Sequence, residues 1–168
     1  MLVQKIKIKH QLVFIGDFDN RSGTRNDLTY KDRLFNIAEK YDIIERLKFL
    51  GYIPNTKVRP FFKEADIYIQ PSFHETFGKT TIEAMLCGCP VVGANTSSTP
   101  EIIEDVGLLF DPYSPEDLAN KIESILTNPH LRMNLINKGK NRAKNFTMDT
   151  EARQFIQVFN ECHKNPIN

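Results

Sequence analysis

Residues 65–94 read ADIYIQPSFHETFGKTTIEAMLCGCPVVGA, and they divide into strand, loop, helix and strand. Ile67, Tyr68 and Ile69 form a short apolar run between Asp66 and Pro71, the length of a buried strand. Pro71 to Phe77 suits an irregular loop, and Gly78 allows a sharp backbone turn into the helix. Ile82, Met85, Leu86 and Cys89 then recur at i, i+3, i+4 and i+7, the apolar face of a helix packed on a sheet. Lys79, Thr80 and Glu83 occupy the other side. Gly88 and Pro90 stop the helix, and Pro90 to Ala94 begins the next strand.

In an open α/β sheet, ligands collect in the loops beyond the carboxyl ends of the strands. A helix that starts there aims unpaired N–H groups and a partial positive charge at the ligand, which suits a phosphate. Glu75 in the loop and Glu83 about one turn into the helix flank that place. Bare carboxylates repel a diphosphate, but an ionised oxygen is a strong acceptor for sugar hydroxyls, and a vicinal diol can occupy both oxygens of one carboxylate. Phosphate together with polyol points to a nucleotide sugar. The spacing alone is weak, because two glutamates eight apart occur by chance and a loop glutamate is usually just solvated.

The remaining segments repeat the alternation. Leu2 to His10 sets Ile6 and Ile8 between Lys5, Lys7 and Lys9, which suits an edge strand with one wet face, or a tail foreign to the domain. Gln11 to Gly16 is the first buried strand. Asp17 to Asp27 is a polar loop; it fails as a calcium loop because Gly is not at the sixth position and Leu28 stands at the twelfth. Leu34, Ile37, Ala38 and Tyr41 give a helical stripe. Leu47 to Leu50 is a strand closed by Gly51, and Pro54 to Ala65 is a short helix turning Val58, Phe61, Phe62 and Ala65 inward. Thr99 reads as the N-cap of a helix with Pro100 in its first turn. Gly107 to Phe110 is the last strand. Ser114 opens a helix with Leu118, Ile122, Ile125 and Leu126 on one face, and two more helices cover 130–146 and 149–162. Strands alternating with helices predict an α/β domain, a Rossmann-like parallel sheet with helices on both faces. The expected division is 1–10 as edge strand or tail, 11–163 as one ligand-binding domain, and 164–168 as a tail.

Composition removes other classes. The 168 residues hold 22 Lys and Arg against 21 Asp and Glu, so no global field recruits nucleic acid or an anionic membrane. No apolar run approaches the ~18 residues of a membrane span. Cys87, Cys89 and Cys162 form neither a metal-site pattern nor an even disulfide set, and they read as small packing residues in a reducing, cytoplasmic setting.

The run from His74 to Val92, HETFGKTTIEAMLCGCPVV, closely resembles the signature of the retaining glycosyltransferases of family 4, which have the GT-B fold. The chain is similar to that family also at Leu50 to Pro54, Ala65-Asp66, Pro100 to Ile103, Gly107 to Leu109 and Pro112, in the family's order, from about Leu12 to Glu161. The resemblance implies the C-terminal, donor-binding half of a GT-B enzyme, and it implies roles. Glu75 binds donor-sugar hydroxyls as the catalytic glutamate. The N–H groups of Phe77, Gly78, Lys79 and Thr80 hold the sugar and distal phosphate, with the Thr80 hydroxyl and the Lys79 cation as secondary help. Glu83 holds the ribose diol, and Tyr52 and Ile53 lie against the base. Their bland alternatives are an apolar pair in the core and a solvated lysine; His74 either caps the loop or serves as a general acid or base. A UDP-, GDP- or ADP-sugar is the implied donor, with no metal and no further cofactor required.

The chain departs from the pattern in that no segment before Leu12 matches the family's diphosphate-binding Arg and Lys; Lys5, Lys7 and Lys9 do not fit it. The acceptor-binding half is also expected from a separate chain, so weak donor binding and little transfer are expected from these residues alone. Two rivals stay open. One is a sugar-nucleotide epimerase or a hydrolase using Glu75 and Glu83 as acid and base. The other is a non-catalytic split subunit or remnant that binds a nucleotide or a protein partner.

Overall fold

The computed structural model describes residues 10–17 and 29–164, with the side chains of Tyr30, Glu151, Cys162 and Lys164 outside that description. The expected edge strand over Leu2 to His10 and the polar loop over Asp17 to Asp27 lie almost wholly outside the described residues. Five strands alternate with helices: β1 Leu12–Phe14, α1 Tyr30–Lys40, β2 Leu47–Phe49, α2 Arg59–Glu64, β3 Tyr68–Gln70, α3 Lys79–Leu86, β4 Val91–Ala94, α4 Thr99–Ile103 and β5 Leu108–Phe110. Three helices close the chain: α5 Pro115–Thr127, α6 Pro129–Ala143 and α7 Met148–Lys164.

Every strand pairing is parallel, and the strands form two sheets, β1-β2 and β3-β4-β5. The sequence predicts one sheet. Each strand contributes only three or four residues, so ladder hydrogen bonds are few and side-chain packing joins the halves. Ile15 and Ile53, just past β1 and β2, pack on the core cluster that contains Val91 of β4. Within β4 the period of two sends Val91 to that cluster and Val92 and Ala94 to a second one with Phe110, Ile125 and Leu135. Both faces are therefore covered, and all of β4 is buried. The α/β, Rossmann-like expectation is met.

Several side chains turn differently from their sequence pattern. Leu86 is half exposed, and the buried arc of α3 is Thr81, Ile82, Ala84 and Met85. This helix also has a second neighbour: α6 lies against α3, and the Gly139 backbone comes close to Met85. Ile37 is exposed although Ala38 beside it is buried. In α2, Val58 and Phe62 are buried while Phe61 and Ala65 are only partly covered. Thr99 is not the cap of α4; Ser98 holds that position and Thr99 is buried inside the first turn. Ser114 does cap α5, accepting from the Asp117 N–H at 3.1 Å.

Candidate nucleotide-sugar site

The site begins where β3 ends. Tyr68 and Gln70 are two apart on a strand, so they share a face. The Tyr68 hydroxyl donates to Gln70 Oε1 at 2.7 Å, and Gln70 Nε2 donates to Glu75 Oε2 at 2.7 Å. Gln70 is buried, so a fixed amide stands between the strand and the loop carboxylate. The other carboxylate oxygen, Glu75 Oε1, accepts from the Phe77 N–H at 3.3 Å. Two donors thus orient the Glu75 head group, each oxygen keeping further acceptor capacity. Burial above all pushes the Tyr68 phenol up, with the Thr80 side chain opposing it and the charges of Glu75 and Glu83 adding to it. The two glutamates expected to work together thus act on one phenol.

Gly78 takes the left-handed conformation, φ 77°, that turns the loop into α3. No side chain caps this helix start, so its first amides are unspent and carry the positive end of the helix dipole. Beside them the Thr81 hydroxyl is buried without a hydrogen-bond partner. Lys79 and Thr80 are exposed, and Glu83 is half-buried on the next turn. The Phe77 ring packs edge-on against Phe146 at 6.2 Å, with the Arg142 guanidinium 5.0 Å from the Phe146 ring centre.

The loop after β4 supports this arrangement. Ser97 Oγ and Ser98 Oγ donate to the Glu75 carbonyl at 2.7 and 2.8 Å, and Thr96 Oγ1 donates to the Phe73 carbonyl at 3.3 Å. Gln70, Ser97 and Ser98 went unmarked in the sequence. A polar residue in phase at the end of a buried strand, and a run of hydroxyls just past the next strand, are the signals that point to them.

Tyr52 and Ile53 do not behave as a pair. Gly51, φ 68°, turns the chain after β2, leaving Tyr52 about three-quarters exposed while Ile53 packs partly buried on the core. Tyr52 alone of the two keeps an exposed ring. A hollow of about 310 Å³ lined by His10, Gln11, Glu45 and Arg46 lies at the amino ends of β1 and β2, away from these loops. Chemically, the carboxyl edge combines unspent amides, two carboxylates and a row of hydroxyl groups, a set fitted to phosphate and polyol together.

The chain is 31% identical to the O-antigen chain mannosyltransferase B of Escherichia coli over 128 residues, which is 76% of this chain and 34% of that protein. The sucrose-phosphate synthase of Thermosynechococcus elongatus superposes with a TM-score of 0.80 at 27% identity, over 97% of this chain and 41% of that one. HepE of Anabaena, solved in complex with UDP-glucose, superposes with a TM-score of 0.75 at 25% identity, over 90% of this chain and 41% of that one. The chain therefore spans about a third of the mannosyltransferase and two-fifths of the two solved structures. Its architecture is that of one half of the GT-B fold. A family model described as glycosyl transferases group 1 matches residues 1–142, and the chain belongs to that family.

Proposed function

We propose that residues 11–163 form the donor-binding domain of a retaining, metal-independent hexosyltransferase, flanked by short segments at 1–10 and 164–168. It holds a UDP-, GDP- or ADP-sugar for transfer to an acceptor bound by a partner domain or chain. The observation that carries this reading is the uncapped start of α3 beside the oriented carboxylate of Glu75. As the glycosyl bond breaks, negative charge grows on the departing diphosphate. The amides of Gly78, Lys79 and Thr80 face that charge without reorganising, which is the source of rate in an oxyanion-hole arrangement. Glu75 accepts from the sugar hydroxyls, Glu83 from the ribose diol, and the Tyr52 ring lies against the base. The Phe77 N–H belongs to Glu75 first, so its part is to orient the carboxylate rather than to hold phosphate. The likeness to HepE, which holds UDP-glucose, supports a nucleotide-sugar donor. Among the described residues no helix is long and apolar enough to cross a membrane. The proposed site of action is cytoplasmic, with contact to the inner membrane face through the partner.

A thermal-shift panel of UDP, GDP and ADP with their sugar conjugates tests the reading. A conjugate at about 100 times its dissociation constant should stabilise the fold by about 2.7 kcal/mol. No shift with any member of the panel overturns it.

A second reading, a non-catalytic subunit that binds a nucleotide or a protein partner, takes its support from α7. That helix leaves Phe155, Ile156 and Phe159 more than half exposed, a patch that suits a covering partner. Transfer activity on adding a separately produced acceptor-domain chain favours the enzyme; nucleotide binding without transfer in that mixture favours the subunit.

A further inference from the structure

Two residues of the β4–α4 loop break local rules at the same place. Ser97 has φ 56°, a conformation that strains most residues with a Cβ and is best tolerated by glycine or asparagine. Ser98 occupies the N-cap of α4, the position where a serine normally bonds the first-turn amides, yet its side chain makes no capping bond. Both hydroxyls go instead to one atom, the Glu75 carbonyl oxygen, at 2.7 and 2.8 Å. Ser97 Oγ also accepts from the Glu75 N–H at 3.3 Å, so one side chain grips both polar groups of the Glu75 backbone. Residues that surrender local stability in this way usually serve a site.

We propose that Ser97 and Ser98 form a clamp that fixes the Glu75 backbone and so aims its carboxylate at the donor sugar. They are positioning residues, and the clamp rests on the donor-site reading. Glu75 sits in an irregular loop, where no ladder fixes its main chain. The Gln70 amide and the Phe77 N–H orient the carboxylate only if the backbone that carries it is already held. The clamp supplies that hold from the loop after the neighbouring strand β4, 22 and 23 residues further along the chain. It acts on the sugar end of the donor. The amides of α3, which face the phosphates, are not bonded to either serine.

The test is Ser97→Gly with Ser98→Ala in the 168-residue chain, because glycine removes the Ser97 hydroxyl while relieving its backbone strain. Two readouts are needed. Hydrogen exchange at the Glu75 and Phe77 amides, without any nucleotide, should quicken about tenfold or more, the scale of one lost hydrogen bond, while β4 and the core of α3 stay unchanged. Titration with UDP and UDP-glucose, and with GDP and GDP-mannose, should show the sugar conjugate losing about tenfold in affinity and the free diphosphate keeping its own. Ser98→Thr, which keeps a hydroxyl, should retain most of the slow exchange. Unchanged exchange at Glu75 and Phe77 overturns the clamp, and so does an equal loss for conjugate and diphosphate. If the unaltered chain binds neither pair, the donor-site reading fails, and with it the aim at a sugar; the mechanical hold on Glu75 is then judged by exchange alone.

Discussion

The Gln70 side chain stands between a phenol and a carboxylate, accepting from the Tyr68 hydroxyl and donating to Glu75 Oε2, each at 2.7 Å. Both bonds are partly screened from water, since Gln70 is buried and Tyr68 and Glu75 are half-buried. Gln70→Leu has nearly the same volume but leaves a hydroxyl and a carboxylate without their partner. A loss of about 1–3 kcal/mol is expected from the unsatisfied groups, read as a lower urea midpoint at unchanged slope. Gln70→Glu keeps an acceptor for Tyr68 but sets two carboxyls at hydrogen-bonding distance, so one must hold a proton. Its stability should fall as the pH rises from mildly acidic to neutral, a slope the unaltered chain should lack over that range.

On the proposed reading Glu75 takes the donor sugar and Glu83 the ribose, and two variants tell these roles apart. Glu83→Ala should weaken free diphosphates and sugar conjugates alike, by about tenfold to a hundredfold, the scale of a hydrogen bond to a charged group. Glu75→Ala should leave UDP and GDP unaffected and weaken only their sugar conjugates. Calorimetric titration of both variants with both ligand types checks this, and equal losses everywhere would refute the division.

Cys89 gives the alkaline side of the stability curve a defined cause. Burial pushes its thiol up to about 12 from 9.0, with the Ala65 and Pro90 carbonyls 3.7 and 3.6 Å from its sulfur. A group whose pKa is raised by folding keeps its proton in the native chain while the unfolded chain loses it. Its contribution is therefore complete below pH 9 and is lost as the pH climbs towards 12. Cys89→Ala, which removes the group at the cost of a small cavity, should show a shallower decline over that window. A thiol reagent at pH 8 should modify half-buried Cys87 well before Cys89, which is 3% exposed.

The sequence carried the order of elements because each apolar run has a clear period, and it carried the loop before α3 because Pro71, Gly78 and two glutamates punctuate it. What it hid depends on a third body. Leu86 is half exposed and Thr81 buried in an α3 that packs on α6 as well as on the sheet, and no period within α3 encodes that second contact. The Ser98 hydroxyl has the chemistry of a cap, and only the approach of the Glu75 loop shows where it goes. Tyr52 and Ile53, adjacent in sequence, part company because the left-handed turn at Gly51 sets one outward. Long-range contacts decided the first two and a local turn the third, and an alternation rule sees neither.

Gly78 and Gly107 should fail by different mechanisms when given a side chain. A Cβ on Gly78 meets only ordinary contacts, 3.6 Å from Ile102 and 3.7 Å from Thr81, but φ 77° is left-handed. Gly78→Ala should therefore cost about 1–2 kcal/mol through the backbone alone. Asparagine tolerates that conformation, so Gly78→Asn should recover part of the loss. A Cβ on Gly107 would stand 2.7 Å from the Val91 carbonyl oxygen and 2.8 Å from Ile103, where the backbone itself must give way. Gly107→Ala should cost about 1–3 kcal/mol through overpacking, and Gly107→Asn should cost more rather than less. Urea midpoints of the four variants separate the cases: asparagine better than alanine at 78, and worse than alanine at 107. Asparagine worse than alanine at both positions would mean that close packing, not the left-handed turn, is what requires glycine at the mouth of α3.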